Sequence, residues 1–161
     1  MLRIRPAEAG DEEAIWLILE PVIRGGETYT LPREMSRSDA MAYWFSKSNE
    51  VFVSESDGQV VGTYFLRSNQ LGGGSHVCNC GYMTSPAASG KGVASAMCSH
   101  SLDHASERGF RAMQFNFVVS TNDRAVRLWQ RFSFDIVGRL PNAFLHPVHG
   151  YVDAFVMYRQ F

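Results

Sequence analysis

The sequence predicts a mixed α/β domain, and three observations carry that prediction. Apolar residues switch several times between strand-like alternation and helical spacing. The 161 residues are 45% hydrophobic and 19% charged, and a chain of that length buries about 68–70% of its unfolded surface in one core. Gly, Pro and Asn/Asp punctuate the periodic segments at short intervals, with no linker-like gap and no internal repeat. Residues 1–161 are therefore expected to form a single domain with seven strand-like and four helix-like segments.

Leu2 to Arg5 alternates apolar and charged residues, as a half-buried strand does, and Pro6 ends it. A helix is expected after Gly10. Its first turn carries Asp11, Glu12 and Glu13, which complement the helix dipole, and its apolar stripe is Ile15, Ile18, Leu19 and Val22. Gly25-Gly26 stops it, and residues 27–32 form an irregular connection. Ser36 or Ser38 caps a second helix with Met41, Trp44 and Phe45. Val51 to Glu55 reads as a strand, Asp57-Gly58 as a hairpin turn, and Gln59 to Leu66 as the partner strand. Gly72-Gly73-Gly74 is a loop before the strand His76 to Thr84.

After Pro86, Ser89-Gly90-Lys91-Gly92-Val93-Ala94 opens a long helix that Gly109 ends. Arg111 to Val119 is a strand, and Asn122 or Asp123 caps a helix with Ala125, Leu128, Trp129 and Phe132 inward. Phe134 to Arg139 is a strand, followed by a loop bearing Pro and His and a last strand, Tyr151 to Tyr158.

Charge and cysteine content exclude several functions. Fifteen basic against sixteen acidic residues leave no electrostatic footprint for nonspecific nucleic-acid binding. No run approaches the 18 or more apolar residues of a membrane span, and the start lacks the order of a signal peptide. Cys78, Cys80 and Cys98 are an odd set, which argues against a secreted disulfide framework. The expectation is a cytoplasmic protein with neither nucleic-acid nor membrane partners. No metal site is expected: Cys78 and Cys80 lack a second ligand pair, and His100 and His104 lack the Glu of H-E-x-x-H.

The most informative unit runs from Tyr82 to about Ala96. Gly90, Gly92 and the small Ala94 let several backbone N–H groups converge where a helix begins, a setting that suits phosphate or pyrophosphate. The alternative is an ordinary strand-to-helix connection that uses glycine for close packing. A Walker loop and a dinucleotide fingerprint both fail, the first at Ser85 and Gly92, the second at Ser95.

This segment resembles the acetyl-CoA loop of the GNAT superfamily of N-acetyltransferases, Arg/Gln-x-x-Gly-x-Gly/Ala, with Ser89 departing at a polar position. Asn122-Asp123-Arg124-Ala125-Val126-Arg127-Leu128-Trp129-Gln130-Arg131-Phe132-Ser133-Phe134 is similar to that family's second signature, with Trp129 standing for Tyr and Ser133 for Gly. The resemblance implies a central six- to seven-stranded mixed sheet, splayed between its fourth and fifth strands. It implies that acetyl-CoA lies in the splay. The backbone of Tyr82, Met83 and Thr84 would pair with the pantothenate arm. The pyrophosphate would rest on Ser89, Gly90, Lys91, Gly92, Val93 and Ala94, with Asn122 and Trp129 nearby. One oxyanion donor is expected near Met83. Trp129 cannot act as the acid that the family's Tyr supplies, because an indole N–H is not a useful proton donor.

Asn79, Asn116 and Asn122, with the runs around them, resemble a branch that acetylates proline analogues such as azetidine-2-carboxylate. The resemblance implies that Asn116 stabilises the reacting carbonyl and Asn79 helps hold the substrate. Glu27 is a candidate base, and Tyr29, His146, His149, Tyr151 and Asp153 are further candidates for the substrate side. The reading is an acetyl-CoA-dependent N-acetyltransferase acting on a small-molecule amine, with a homodimer as one assembly. The rival is a non-catalytic acyl-CoA-binding module.

Overall fold

Seven strands form one sheet in the order β1-β2-β3-β4-β5-β7-β6, in a computed structural model that describes all 161 residues. The strands are β1 (Leu2–Pro6), β2 (Glu50–Ser56), β3 (Gln59–Ser68), β4 (Val77–Thr84), β5 (Ala112–Val119), β6 (Asp135–His146) and β7 (Gly150–Gln160). The helices are α1 (Glu12–Gly25), α2 (Arg37–Trp44), α3 (Val93–Glu107) and α4 (Asp123–Arg131). Every neighbouring pair is antiparallel except β4 and β5, which run parallel.

Strand alternation gives the sheet two apolar faces. On one, Tyr64, Cys80, Met113 and Phe115 pack with Met97 and Leu102 of α3 and Leu128 and Trp129 of α4. On the other, Val53, Phe65 and Met83 pack with Ile15, Ile18, Leu19 and Ile23 of α1 and Trp44 of α2. The buried Trp44 indole N–H donates to Thr63 Oγ1 at 3.0 Å, and that hydroxyl donates to the Phe52 carbonyl at 2.8 Å. Trp16 and Trp44 are thus committed to the chain's own core.

Ser36 is the cap of α2, accepting from Asp39 N–H at 3.1 Å. Gly26, at φ +64°, turns the chain out of α1 and lies against the stem of Arg33. Two sequence expectations are corrected. Asp11 is the N-cap of α1, outside its first turn, and its side chain makes no cap bond to the helix. Its carboxylate is nearly buried, bonds the Arg5 guanidinium at 2.8 and 3.0 Å and accepts Glu8 N–H at 2.7 Å. The expected loop after Arg139 is strand instead. Between Leu140 and Phe144 the register of β6 against β7 shifts, absorbing Pro141 and the left-handed Asn142 (φ 50°). A bulge on an edge strand tolerates a proline that a central strand would not.

Parallel pairing of β4 with β5 is confined to Val77–Ala112 and Cys78–Met113. Beyond these two pairs the strands part, and the opening is the mouth of a cavity.

Candidate active site

The side chain of Asn79 sits where the strands part. If the parallel ladder continued past Cys78 and Met113, its next bond would join Cys80 N–H to the Gln114 carbonyl. Asn79 Nδ2 takes that carbonyl instead, at 2.9 Å. Asn79 is 7% exposed, and burying an amide this deeply is tolerable because it is bonded. It thus occupies the carbonyl at which the parallel ladder stops.

The β3–β4 register decides which backbone groups face the gap. Asn69 N–H bonds the Val77 carbonyl and Ser85 N–H bonds the Val61 carbonyl, each at 2.8 Å, with unbroken pairing between. Alternation then points Asn79, Gly81 and Met83 toward β3, and Cys80, Tyr82 and Thr84 into the gap. This corrects the expected oxyanion donor near Met83, whose N–H belongs to the β3 ladder; the gap-facing N–H groups are those of Cys80, Tyr82 and Thr84.

The gap opens into a cavity of about 800 Å³, within the usual size of ligand sites. At one end lie Ser89, Gly90, Gly92, Val93, Ala94 and the Asn122 cap of α4. Gly90 and Gly92 have φ +77° and +79°, the left-handed conformation that glycine adopts without a steric penalty. Lys91 is exposed and outside the lining. Arg124 reaches across to Ser89 Oγ at 3.0 Å, so an arginine from α4 stands over the loop where residue 89 lacks a long polar arm. Arg131 lines the cavity as well, whereas Arg127 does not. Asn122 Oδ1 accepts Ala125 N–H at 3.4 Å.

The floor is aromatic. Trp129 lies 4.8 Å from Phe115 and 5.1 Å from Tyr82 between ring centres. The Tyr82 hydroxyl is turned away from the gap, 2.6 Å from Ser101 Oγ, and burial pushes its pKa well up. Tyr29 donates its phenol O–H to the Tyr82 carbonyl at 2.8 Å, and burial likewise holds it protonated.

At the other end, Asn116 is exposed, because alternation sends Phe115 into the core and its neighbour outward. It accepts Gln114 Nε2–H at 2.9 Å and donates to Asn69 Oδ1 at 2.7 Å. Glu27 is exposed and outside the lining, although Thr28, Tyr29 and Thr30 line it. An unpaired carboxylate stays in water unless something repays its desolvation, so the structure does not bring Glu27 to the site. His146, His149, Tyr151 and Asp153 also lie outside the lining. His146 Nδ1 accepts the N–H groups of Val148 and His149 in the β6–β7 turn, and Asp153 pairs with Arg139 at 3.2 Å.

All three cysteines are buried thiols. Burial pushes Cys78 and Cys98 up to about 12 and raises Cys80 well above the ordinary thiol value, so none is a ready thiolate nucleophile. His100 Nδ1 is bonded by the Tyr64 hydroxyl at 2.7 Å, and His104 faces Glu50 at 3.4 Å.

Sequence reasoning missed Tyr43, Phe65 and Arg67 in the lining. Strand β3 was expected to end at Leu66. Its continuation to Ser68 puts Arg67 on the same face as Phe65, which is the signal a longer alternation would have carried.

Sheet order, one split parallel pair and a glycine loop leading into α3 together define the mixed α/β fold of the N-acetyltransferases. The chain belongs to the acetyltransferase (GNAT) family, which it matches over residues 16–134. It is 29% identical over 151 residues to N-acetyltransferase aca1 of Schizosaccharomyces pombe, covering 83% of this chain and 72% of that protein. It superposes on a GCN5-related N-acetyltransferase from Kribbella flavida with TM-score 0.95 and 40% identity, over 99% of this chain and 98% of the other. A Salmonella typhimurium acetyltransferase, yncA, solved with acetyl-CoA shares the fold at TM-score 0.87 and 22% identity, over 99% and 94% of the two chains.

Proposed function

We propose that the protein transfers the acetyl group of acetyl-CoA to the amine of a small molecule, an amino acid or an analogue of one, by direct attack in a ternary complex. The observation that carries this is the split at Asn79. It turns backbone groups of Cys80, Tyr82 and Thr84 toward a cavity that ends at two left-handed glycines. The geometry suits an extended arm with amides, tied to a diphosphate. Gap-facing groups of β4 pair with the arm, and N–H groups of the 89–94 loop, with Arg124, receive the diphosphate.

In the reaction the ammonium first gives one proton to water; the neutral nitrogen then bonds the acetyl carbon, the carbon–sulfur bond breaks, the nitrogen loses a second proton and the departing sulfur gains one. The residues supply position and polarity. N–H of Cys80 or Tyr82 and the second N–H of Asn116 stabilise charge growing on the thioester oxygen, each fixed donor being worth on the order of 3–4 kcal/mol. No Asp, Glu or His lines the cavity, so water carries the amine proton away. For an amine of pKa ~10.4 that deprotonation costs roughly 4–5 kcal/mol at pH 7. With Tyr82 turned inward and Trp129 unable to donate a proton, water also serves the leaving sulfur.

The arrangement of Asn79, Asn116 and Asn122 around one cavity supports an acceptor of the proline-analogue type, such as azetidine-2-carboxylate. Three unpaired thiols support a reducing, cytoplasmic setting, and exposed Ile136, Val137 and Leu145 on the β6–β7 hairpin support a homodimer. The lack of an acid or base in the lining favours a second reading, a non-catalytic acyl-CoA-binding module. Thiol release from acetyl-CoA with a panel of amines separates the two. Turnover of an amino acid or analogue is expected; binding of acetyl-CoA with no release on any amine selects the module.

A further inference from the structure

Charge in the cavity is one-sided. Its lining holds Arg67, Arg124 and Arg131 and no Asp, Glu, His or Lys. Arg124 and Arg131 come from α4, beside the glycine loop. Arg67 comes from β3, at the opposite end, where its pairing partner across the sheet is Asn79. From Asn79 to Thr84 the strand climbs five residues, about 17 Å at strand rise, and the loop lies further on. A group bound at Ser89–Gly90 is therefore out of reach of Arg67.

Arg67 is partly buried and, like the other two arginines of the lining, has no ion-pair partner. Its guanidinium rests 5.2 Å from the centre of the Phe65 ring, which in turn is met edge-on by Tyr43 at 6.1 Å. Stacking on an aromatic face holds the planar fork in place while leaving its N–H edges to bind, and that fork matches a carboxylate in bidentate fashion. The other polar side chains lining this end are the amides Asn79 and Asn116 and the hydroxyls of Thr28, Tyr29, Thr30 and Tyr43, none of them a carboxylate. A cation with no counter-charge beside amides and hydroxyls lacks one component, an anion.

We infer that Arg67 is the carboxylate receptor of the acceptor site and that the acceptor is a zwitterionic amino carboxylate, whose amine is thereby presented to the split between β4 and β5. This rests on the acetyltransferase reading and narrows it. Polyamines and aminoglycosides would bring several positive charges to a cavity that offers no negative one, so they are excluded as preferred acceptors.

The test compares acids with their carboxamides. Azetidine-2-carboxylate, proline and methionine are assayed beside the matching carboxamides, spermidine and an aminoglycoside, in wild type, Arg67→Gln and Arg67→Lys, with acetyl-CoA uptake measured by calorimetry in each. Wild type is expected to favour at least one acid over its carboxamide about tenfold or more in kcat/KM. Arg67→Gln should bring that ratio to within about twofold through KM for the acid, with Arg67→Lys between them, since a point charge lacks the bidentate fork. Indifference to the carboxylate in wild type overturns the inference. So does preference for a polyamine or aminoglycoside, or acetyl-CoA uptake with no amino acid turned over; in each of these cases persisting uptake leaves the acyl-CoA site standing. Loss of uptake in wild type removes both.

Discussion

The two ends of the cavity are built in opposite ways. The glycine-loop end is built chiefly from the backbone of residues 89–94, with Arg124 reaching over from α4 and Asn122 and Arg131 beside it. At the acceptor end, side chains from β3, β4, β5, α2 and the connection after α1 converge on one place. A backbone site tolerates side-chain change and is broken by conformational change. A side-chain site behaves the other way round.

A crossed pair of substitutions exposes this difference most strongly. Asn116→Ala removes a donor at the acceptor end and should lower kcat about 10²-fold, with acetyl-CoA affinity unchanged by calorimetry. Gly92→Val forces a β-branched residue into φ +79°, at a strain of order 1–3 kcal/mol, and should weaken acetyl-CoA binding about tenfold or more. Equal damage to both quantities by either variant would erase the distinction between the ends.

Asn79→Leu acts where the ends meet. It keeps the branched outline with somewhat more bulk and removes the amide that occupies the Gln114 carbonyl, so that carbonyl is free to take Cys80 N–H and extend the ladder. One ladder bond is worth about 1 kcal/mol, so acetyl-CoA affinity should fall about fivefold while the urea midpoint holds or rises. A variant that binds as tightly as wild type would show that the gap does not depend on this side chain.

Both ends were legible from sequence to different degrees, for a physical reason. The loop end is local: glycines at 90 and 92, a small residue at 94 and a cap at 122 are contiguous signals, and the structure places all of them in one lining. The acceptor end depends on register. Whether Met83 or its neighbours face the gap turns on a one-residue choice that no local pattern fixes. Arg67 was hidden by an expected strand end one residue short. Glu27 looked suitable beside its neighbours, yet the chain leaves its carboxylate in water. The hairpin of β6 and β7 was underestimated because Pro141 reads as a break until a bulge accommodates it.

A perturbation of the shared frame should not tell the ends apart, and its effect is the smallest. Arg5 bonds Asp11 and Glu55, tying β1 to the entry of α1 and to β2. The Arg5 hydrogen bonds hold the Asp11 carboxyl below its usual value, so the folded state favours the ionised form. That contribution is present above the unfolded carboxylate range and is lost as pH falls from there through the lowered folded value. Burial, and then the neighbouring His104, holds the His100 pKa down. The folded state thus favours neutral His100, and this stability too is lost as pH falls below the ordinary histidine range. Urea midpoints should decline modestly from pH 7 to pH 5.5 and further by pH 4, with Asp11→Asn flattening the lower step. A midpoint that rises on acidification would reverse the assigned signs.

The central claim is that the split at Asn79 leaves alternate backbone groups of β4 to clasp the thioester cosubstrate. Residue-resolved amide hydrogen exchange, with and without acetyl-CoA, tests it most directly. The account predicts new protection at Tyr82 and Thr84 and none at Met83, whose N–H already belongs to the β3 ladder. Protection gained at Met83 alone, or no change along residues 80–84, would contradict it.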